Sequence, residues 1–166
     1  MGVAELLIKT AFGPKEFIEK VQEVLAREGQ AGGGRAGQAS AGQSLGTILI
    51  IEDDPFLWSL IRSKLIKEGF NVTVAQDGEK GLKEAREAKP DLILLDLILP
   101  DFDGFSVLEQ LKKDEATASI PVIILSNLGQ QEDVARGTAL GAKDYLIKAH
   151  HAPQEIVERV KKVLGK

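Results

Sequence analysis

The sequence predicts an α/β fold: a doubly wound, five-stranded parallel sheet, with an extra strand–helix unit ahead of it at the N-terminus. Three observations carry that expectation. From Thr47 to Leu164, short apolar runs alternate with longer stretches of helical pattern, separated by turn residues. The runs are continuously apolar, as strands covered on both faces must be. Right-handed crossovers between such strands wind the helices onto both sides of one sheet.

The elements follow in order. "TILII" (47–51) is the first strand. "DDPFLWSLIRSKLIKEGF" is a helix with Asp54 as N-cap, Pro55 in its first turn and Gly69 at its end. "NVTVA" (71–75) is the second strand, and "DGEKGLKEAREAKP" a helix stopped by Pro90. "LILL" (92–95) opens the third strand, with Asp96 as its last residue, and "FSVLEQLKKD" (105–114) is the next helix. "PVIIL" (121–125) is the fourth strand, and "QQEDVARGTALG" (130–141) holds a short helix. "YLI" (145–147) is the fifth strand, and "PQEIVERVKKVL" (153–164) a final amphipathic helix.

Composition bounds the function. The chain has 166 residues, 43% hydrophobic and 28% charged, enough for one well-buried domain and an appendage. A net charge of -4 without a basic stretch gives no reason to expect nucleic-acid binding. Cysteine is absent, which removes disulfides and thiolate zinc sites and fits a reducing cytosol. No apolar run approaches the roughly 20 residues that span a bilayer. The first residues, "MGVAELLIKTAFGPKEF", lack the basic start and long apolar core of a secretory signal. The expectation is a cytoplasmic protein with no membrane partner.

Asp96 interrupts one of the most apolar stretches of the chain, "DLILLDLILPDFDG" (91–104). A buried carboxylate is costly inside a strand but useful at its end. In doubly wound folds, ligands sit outside the carboxyl ends of the strands, where the winding reverses. The first strand ends in Glu52, Asp53 and Asp54, the fourth in Ser126 and Asn127, and the fifth in Lys148. Acids that close together cannot all ionise unless a cation joins them. An all-oxygen donor set with room for water suits Mg²⁺. The competing explanation, that strand-end acids merely cap helices, fits Asp54 but not a set drawn from four strand ends.

"ILIIEDD", "LILLDLILPDFDG", "IILSN" and "DYLIK" stand at successive strand ends, and with them residues 47–165 resemble a response-regulator receiver domain of two-component signalling. The resemblance implies a flavodoxin-like sheet of order 2-1-3-4-5. It implies that Asp96 accepts a phosphoryl group from a histidine kinase, a phosphotransfer protein or a small phosphodonor. Asp53 and Asp96 would ligate Mg²⁺ directly, Glu52 through water, and the backbone carbonyl of Ile98 would complete the protein ligands. Lys148 would pair with the phosphoryl oxygens and Ser126 would hydrogen-bond to them, moving inward. Tyr145 would be the aromatic whose inward swing reports the change on the face made by the fourth helix, fifth strand and fifth helix. Such a domain is a phospho-acceptor assisting its own phosphorylation and dephosphorylation, not an enzyme in the ordinary sense. Here it is expected to act without an output domain, by changing its contact with a downstream protein.

Two departures from the family stand out. The residue after Lys148 is Ala149, where the family has a proline joined by a cis bond; a non-proline cis bond costs about 2.5–4 kcal/mol. Ile98 and Leu128, two residues past Asp96 and Ser126, occupy positions that flank the attacking water in the family. Both are apolar, which predicts slow loss of the phosphoryl group. Three other features are set aside. His150 and His151 lack a third nitrogen or sulfur partner and read as loop residues rather than metal ligands. Trp58 reads as helix-surface packing, with partner docking as its alternative role. Gly78, Gly81 and Gly104 match neither phosphate-loop pattern.

The N-terminus repeats the C-terminus. Residues 1–25 align without gaps on 140–164, and Gly2, Leu7, Ile8, Lys9, Pro14, Glu16, Glu19, Val21, Val24 and Leu25 match their counterparts. Residues 1–28 therefore read as a second copy of the fifth strand and helix, left by a tandem pair, a natural partial duplication or a deliberate recombination. Residues 29–46, "GQAGGGRAGQASAGQSLG", read as a flexible linker with a typical span of about 21–25 Å. Either copy would reach the strand-five slot, and Tyr145 against Leu6 favours the C-terminal one. The other copy would be free for domain swapping or a homodimer.

The rival functions differ in what they require. An aspartyl-phosphate hydrolase wants a second acid two residues after the nucleophile, where Ile98 stands. A nucleotide- or flavin-binding domain wants a phosphate loop. A phosphorylation-independent interaction module has little need of the full acid, serine and lysine set. An engineered scaffold with a duplicated or swapped segment would keep the site without a pathway.

Overall fold

The computed structural model describes residues 44–166. Residues 1–28, read above as a second copy of the last strand and helix, and residues 29–43 of the stretch read as a linker lie outside the described residues. Five strands form one parallel sheet: β1 (Thr47–Ile51), β2 (Asn71–Ala75), β3 (Leu92–Leu95), β4 (Val122–Ser126) and β5 (Asp144–Ile147). Their order is β2-β1-β3-β4-β5, as expected. Five helices connect and cover them: α1 (Pro55–Lys67), α2 (Gly78–Ala88), α3 (Gly104–Lys113), α4 (Gln131–Ala139) and α5 (Pro153–Leu164).

Alternation along the buried strands splits the core in two. Leu49, Ile51, Ile93, Leu95, Val122 and Ile124 face one side, where Leu82 and Ala85 of α2 and Phe105, Leu108 and Leu111 of α3 cover them. Ile48, Ile50, Leu92, Leu94, Ile123 and Leu125 face the other, under Ile61 and Leu65 of α1 and Ile156, Val157 and Val160 of α5. Burying each such side chain contributes about 1.5–3 kcal/mol, so the continuous apolar runs are what fix the sheet between two helix layers.

The winding reverses between β1 and β3, which are hydrogen-bonded neighbours although β2 lies between them in sequence. Helices therefore leave the carboxyl ends of β1 and β3 on opposite sides, the place at which doubly wound folds hold ligands. The loop entering α1 is set by Asp54, whose carboxylate accepts from the Phe56 N–H at 3.0 Å.

Several boundaries differ from the sequence reading by a residue or two. β3 ends at Leu95, so Asp96 lies one residue past the strand rather than being its last residue. Its N–H still donates to the Ile51 carbonyl at 2.9 Å, which keeps it in line with β1. β4 runs from Val122 to Ser126 rather than 121–125, because Pro121 has no N–H to donate and Ser126 pairs with Ile147. β5 starts earlier, at Asp144. α3 begins at Gly104 and ends at Lys113, with Asp103 as its cap. α4 is shorter than 130–141, ending where Leu140 and Gly141, at φ +104°, turn the chain. Leu45 and Gly46, read as the end of the linker, are held to the domain by the Leu45 N–H to the Gly69 carbonyl and the Asn71 N–H to the Gly46 carbonyl.

Candidate functional site

The carboxyl ends of β1, β3 and β5 bring Glu52, Asp53, Asp96 and Lys148 together. Glu52 and Asp96 are buried, at 3% and 4% exposure, while Asp53 is exposed. The Lys148 ammonium donates to Asp96 Oδ2 at 2.9 Å. It also lies 2.6 Å from Glu52 Oε2, a charge contact that lacks hydrogen-bond alignment. Glu52 Oε1 accepts from the Asp54 N–H at 3.1 Å, and Asp96 Oδ1 from the Ile98 N–H at 3.2 Å.

These contacts set the electrostatics. Burial pushes the Glu52 carboxyl up to about 7, with the Asp96 charge adding to it, against the pull of Lys148 and the Asp54 N–H. Burial alone would lower the Lys148 ammonium, but its close contacts with Glu52 and Asp96 and their negative charge outweigh this, so it is held above its usual value. Lys148 is thus a fixed cation between two buried acids.

One carboxylate oxygen each from Glu52, Asp53 and Asp96 lie within 4.8 Å of one another. Three carboxylates against one ammonium would leave two negative charges, which one divalent cation would match. The donors are hard oxygens, and exposed Asp53 leaves room for water ligands. The residues present therefore fit a site for an ion of the Mg²⁺ type.

Ser126 is fully buried at the end of β4, and its Oγ accepts from the Leu128 N–H at 3.3 Å. The hydroxyl of Tyr145, half-buried on β5, donates to the Leu128 carbonyl at 2.5 Å. The same loop thus joins the two residues to which a switching role is carried over. Burial, followed by the charges of Asp133 and Asp96, pushes the Tyr145 phenol up to about 12, so it stays a donor. Gly137 of α4 makes room for its ring: a Cβ there would lie 3.1 Å from Tyr145 Cδ2 and 2.6 Å from Ile124 Cδ1.

The remaining expected residues are placed as follows. The Ile98 side chain is 57% exposed, and its backbone bridges to Asp103. Lys148–His150 forms a single 3-10 turn, and no peptide bond among the described residues is cis. From this turn, which holds Ala149, Lys148 reaches both Glu52 and Asp96. His150 is exposed, and His151 Nδ1 lies 3.6 Å from Glu155 Oε2, consistent with loop roles. Trp58 is half-buried against the α1–α5 side of the core, with its indole N–H buried and unpartnered.

Two residues of this region carry no signal that sequence reasoning used. A Cβ on Gly104 would meet Leu97 Cα at 2.3 Å and the Asp96 carbonyl oxygen at 2.5 Å, so only glycine lets α3 start against the backbone of the acceptor loop. Asp101 reaches across to α2, as described below. The turn-rich run "PDFDG" was the signal available for both.

The family model described as the response regulator receiver domain matches residues 48–161. This chain belongs to the response-regulator receiver domain family. Among relatives of this receiver, the DNA-binding dual master transcriptional regulator RpaA of Synechocystis is 46% identical over 117 residues, covering 70% of this chain and 48% of that protein. Protein PilH of Pseudomonas aeruginosa is 41% identical over 101 residues, covering 61% of this chain and 84% of that protein. The chain thus spans about half the length of RpaA. Among solved structures, a CheY-like receiver domain protein from Methanospirillum hungatei has a TM-score of 0.68 at 28% identity, covering 74% of this chain and 95% of that one. The BeF3-activated N-terminal receiver domain of Klebsiella pneumoniae RstA has a TM-score of 0.66 at 29% identity, covering 72% and 99%. Among the described residues of the receiver, no helix is long and apolar enough to cross a membrane.

Proposed function

We propose that this receiver accepts a phosphoryl group on Asp96. The observation that carries the reading is the buried Asp96 carboxylate held 2.9 Å from Lys148 beside two further acids. An Asp96 oxygen attacks the phosphorus of a phosphohistidine or acyl phosphate. The new O–P bond forms as the donor's bond to phosphorus breaks, and the leaving group keeps the electron pair. Glu52, Asp53, Asp96 and the Ile98 carbonyl would hold Mg²⁺, which when bound neutralises charge on the transferred group. Lys148 exchanges its contact with Asp96 for one with a phosphoryl oxygen. Ser126 turns its hydroxyl to another, releasing the Leu128 N–H. That change pulls on the loop whose carbonyl holds Tyr145, and so alters the α4–β5–α5 surface.

The partners that follow are a histidine kinase or phosphotransfer protein upstream and a protein target downstream, in the cytoplasm, with the domain acting as a substrate rather than an enzyme. Residues 1–28 are proposed to be a partial copy of β5 and α5 that pairs with a second molecule. Sedimentation of the full chain as a strict monomer would end that part of the reading. The test of the main reading is intact-mass analysis after incubation with acetyl phosphate and Mg²⁺. A single phosphoryl adduct on the parent and none on Asp96→Asn is expected; an equal adduct on both overturns it.

A further inference from the structure

We infer that Asp101 is a positioning residue for the divalent-cation site, fastening the loop that carries the Ile98 carbonyl to the first turn of α2. The inference rests on the cation reading given above. The loop leaves β3 at Asp96 and re-enters a helix at Gly104. Its two ends are closed locally: the Ile98 N–H donates to Asp96 Oδ1, and the Gly104 N–H donates to the Leu97 carbonyl at 2.9 Å. Its middle is fastened elsewhere. Asp101 Oδ1 accepts from the Gly78 N–H at 2.8 Å and Oδ2 from the Glu79 N–H at 3.0 Å.

Those are the first two free N–H groups of α2, and the third, on Lys80, goes to the helix's own cap Asp77 at 2.8 Å. The division matters. Asp77 satisfies α2 from within, whereas Asp101 satisfies it from the acceptor loop and so ties two elements together. Phe102 lies beside the same joint, because a Cβ on Gly78 would sit 3.1 Å from Phe102 Cβ. Although slight burial works the other way, the Gly78 and Glu79 N–H groups hold the Asp101 carboxyl below its ordinary value, so the clamp is charged at neutral pH. A carbonyl ligand is only as well placed as its loop, and partners that orient ligands are part of a metal site's affinity.

The test is a Mg²⁺ titration of the full chain followed by amide chemical shifts, which also show that each variant is folded. Asp101→Ala is expected to weaken Mg²⁺ binding about tenfold, the lower end for an outer-shell partner, and Asp101→Asn, which keeps one acceptor oxygen, to weaken it less. Asp77→Ala loosens the same helix turn without touching the loop, so its affinity should stay within about twofold of the parent. Parent-like affinity in both Asp101 variants overturns the inference. So does an equal loss in Asp77→Ala, which would make the effect one of helix stability. A parent that binds no Mg²⁺ overturns the cation reading itself, and the inference with it.

Discussion

Asp91 and Asp96 flank the same strand, β3, and do opposite work. Asp91, at the amino end, is exposed; its Oδ2 accepts from the Thr47 N–H at 2.7 Å and its own N–H donates to the Thr47 carbonyl. It closes the last gap between β1 and β3, and water screens its charge. Asp96, at the carboxyl end, is 4% exposed and faces a lysine and two more acids. The same side chain is a fastener at one edge and, in the function proposed above, the nucleophile at the other. The difference lies in topology: Asp91 stands at the amino edge, while Asp96 stands at the carboxyl edge where the winding reverses, the place at which doubly wound folds hold ligands.

That contrast can be broken in several places. Lys148→Ala should slow phosphorylation by acetyl phosphate at least about a hundredfold, the scale of losing one preorganised charge partner of a developing oxyanion. A rate near the parent's would remove Lys148 from the chemistry.

Stability should depend on pH through Glu52. Without divalent cations, its carboxyl is raised from 4.5 to about 7, so the fold keeps a proton that the unfolded chain has lost. The associated stability is present below about pH 4.5 and falls as pH rises toward 7, by roughly 2–3 kcal/mol. Urea unfolding in EDTA at both ends of that window should show the fall in the parent and its absence in Glu52→Gln. Equal slopes in the two would mean that the acid is not strained by its burial.

Ile98→Asn should hasten loss of the phosphoryl group about tenfold, by giving the attacking water a partner at the cleft's rim. Decay of the phosphorylated mass over time checks this, and an unchanged half-life would free the apolar residue of blame. The smallest effect is expected at the other edge. Asp91→Ala should cost about 1 kcal/mol of stability and leave the phosphorylation rate as it was.

The sheet was legible because its strands are buried on both faces, so "TILII", "LILL" and "VIIL" stand out without any alternation to interpret. The meeting of Glu52, Asp53, Asp96 and Lys148 was legible for a related reason: each stands within two residues of the end of an apolar run, and parallel strands bring all their carboxyl ends to one edge. Boundaries slipped where local hydrogen bonding decides, as at Pro121 and at Asp96. Contacts across elements left less trace. The Lys148 contact with Glu52, the bond from Tyr145 to Leu128 and the Asp101 clamp on α2 depend on how loops fold back. Gly104 reads as an ordinary turn residue until the Asp96 carbonyl is found 2.5 Å from where its Cβ would be.

In the function proposed, Asp96 at the carboxyl edge receives the phosphoryl group. The most direct measurement is peptide mapping by mass spectrometry of the chain treated with acetyl phosphate and Mg²⁺, with and without hydroxylamine. A hydroxylamine-sensitive adduct on Asp96 is predicted. A resistant adduct, or one on His150 or His151, would contradict the account.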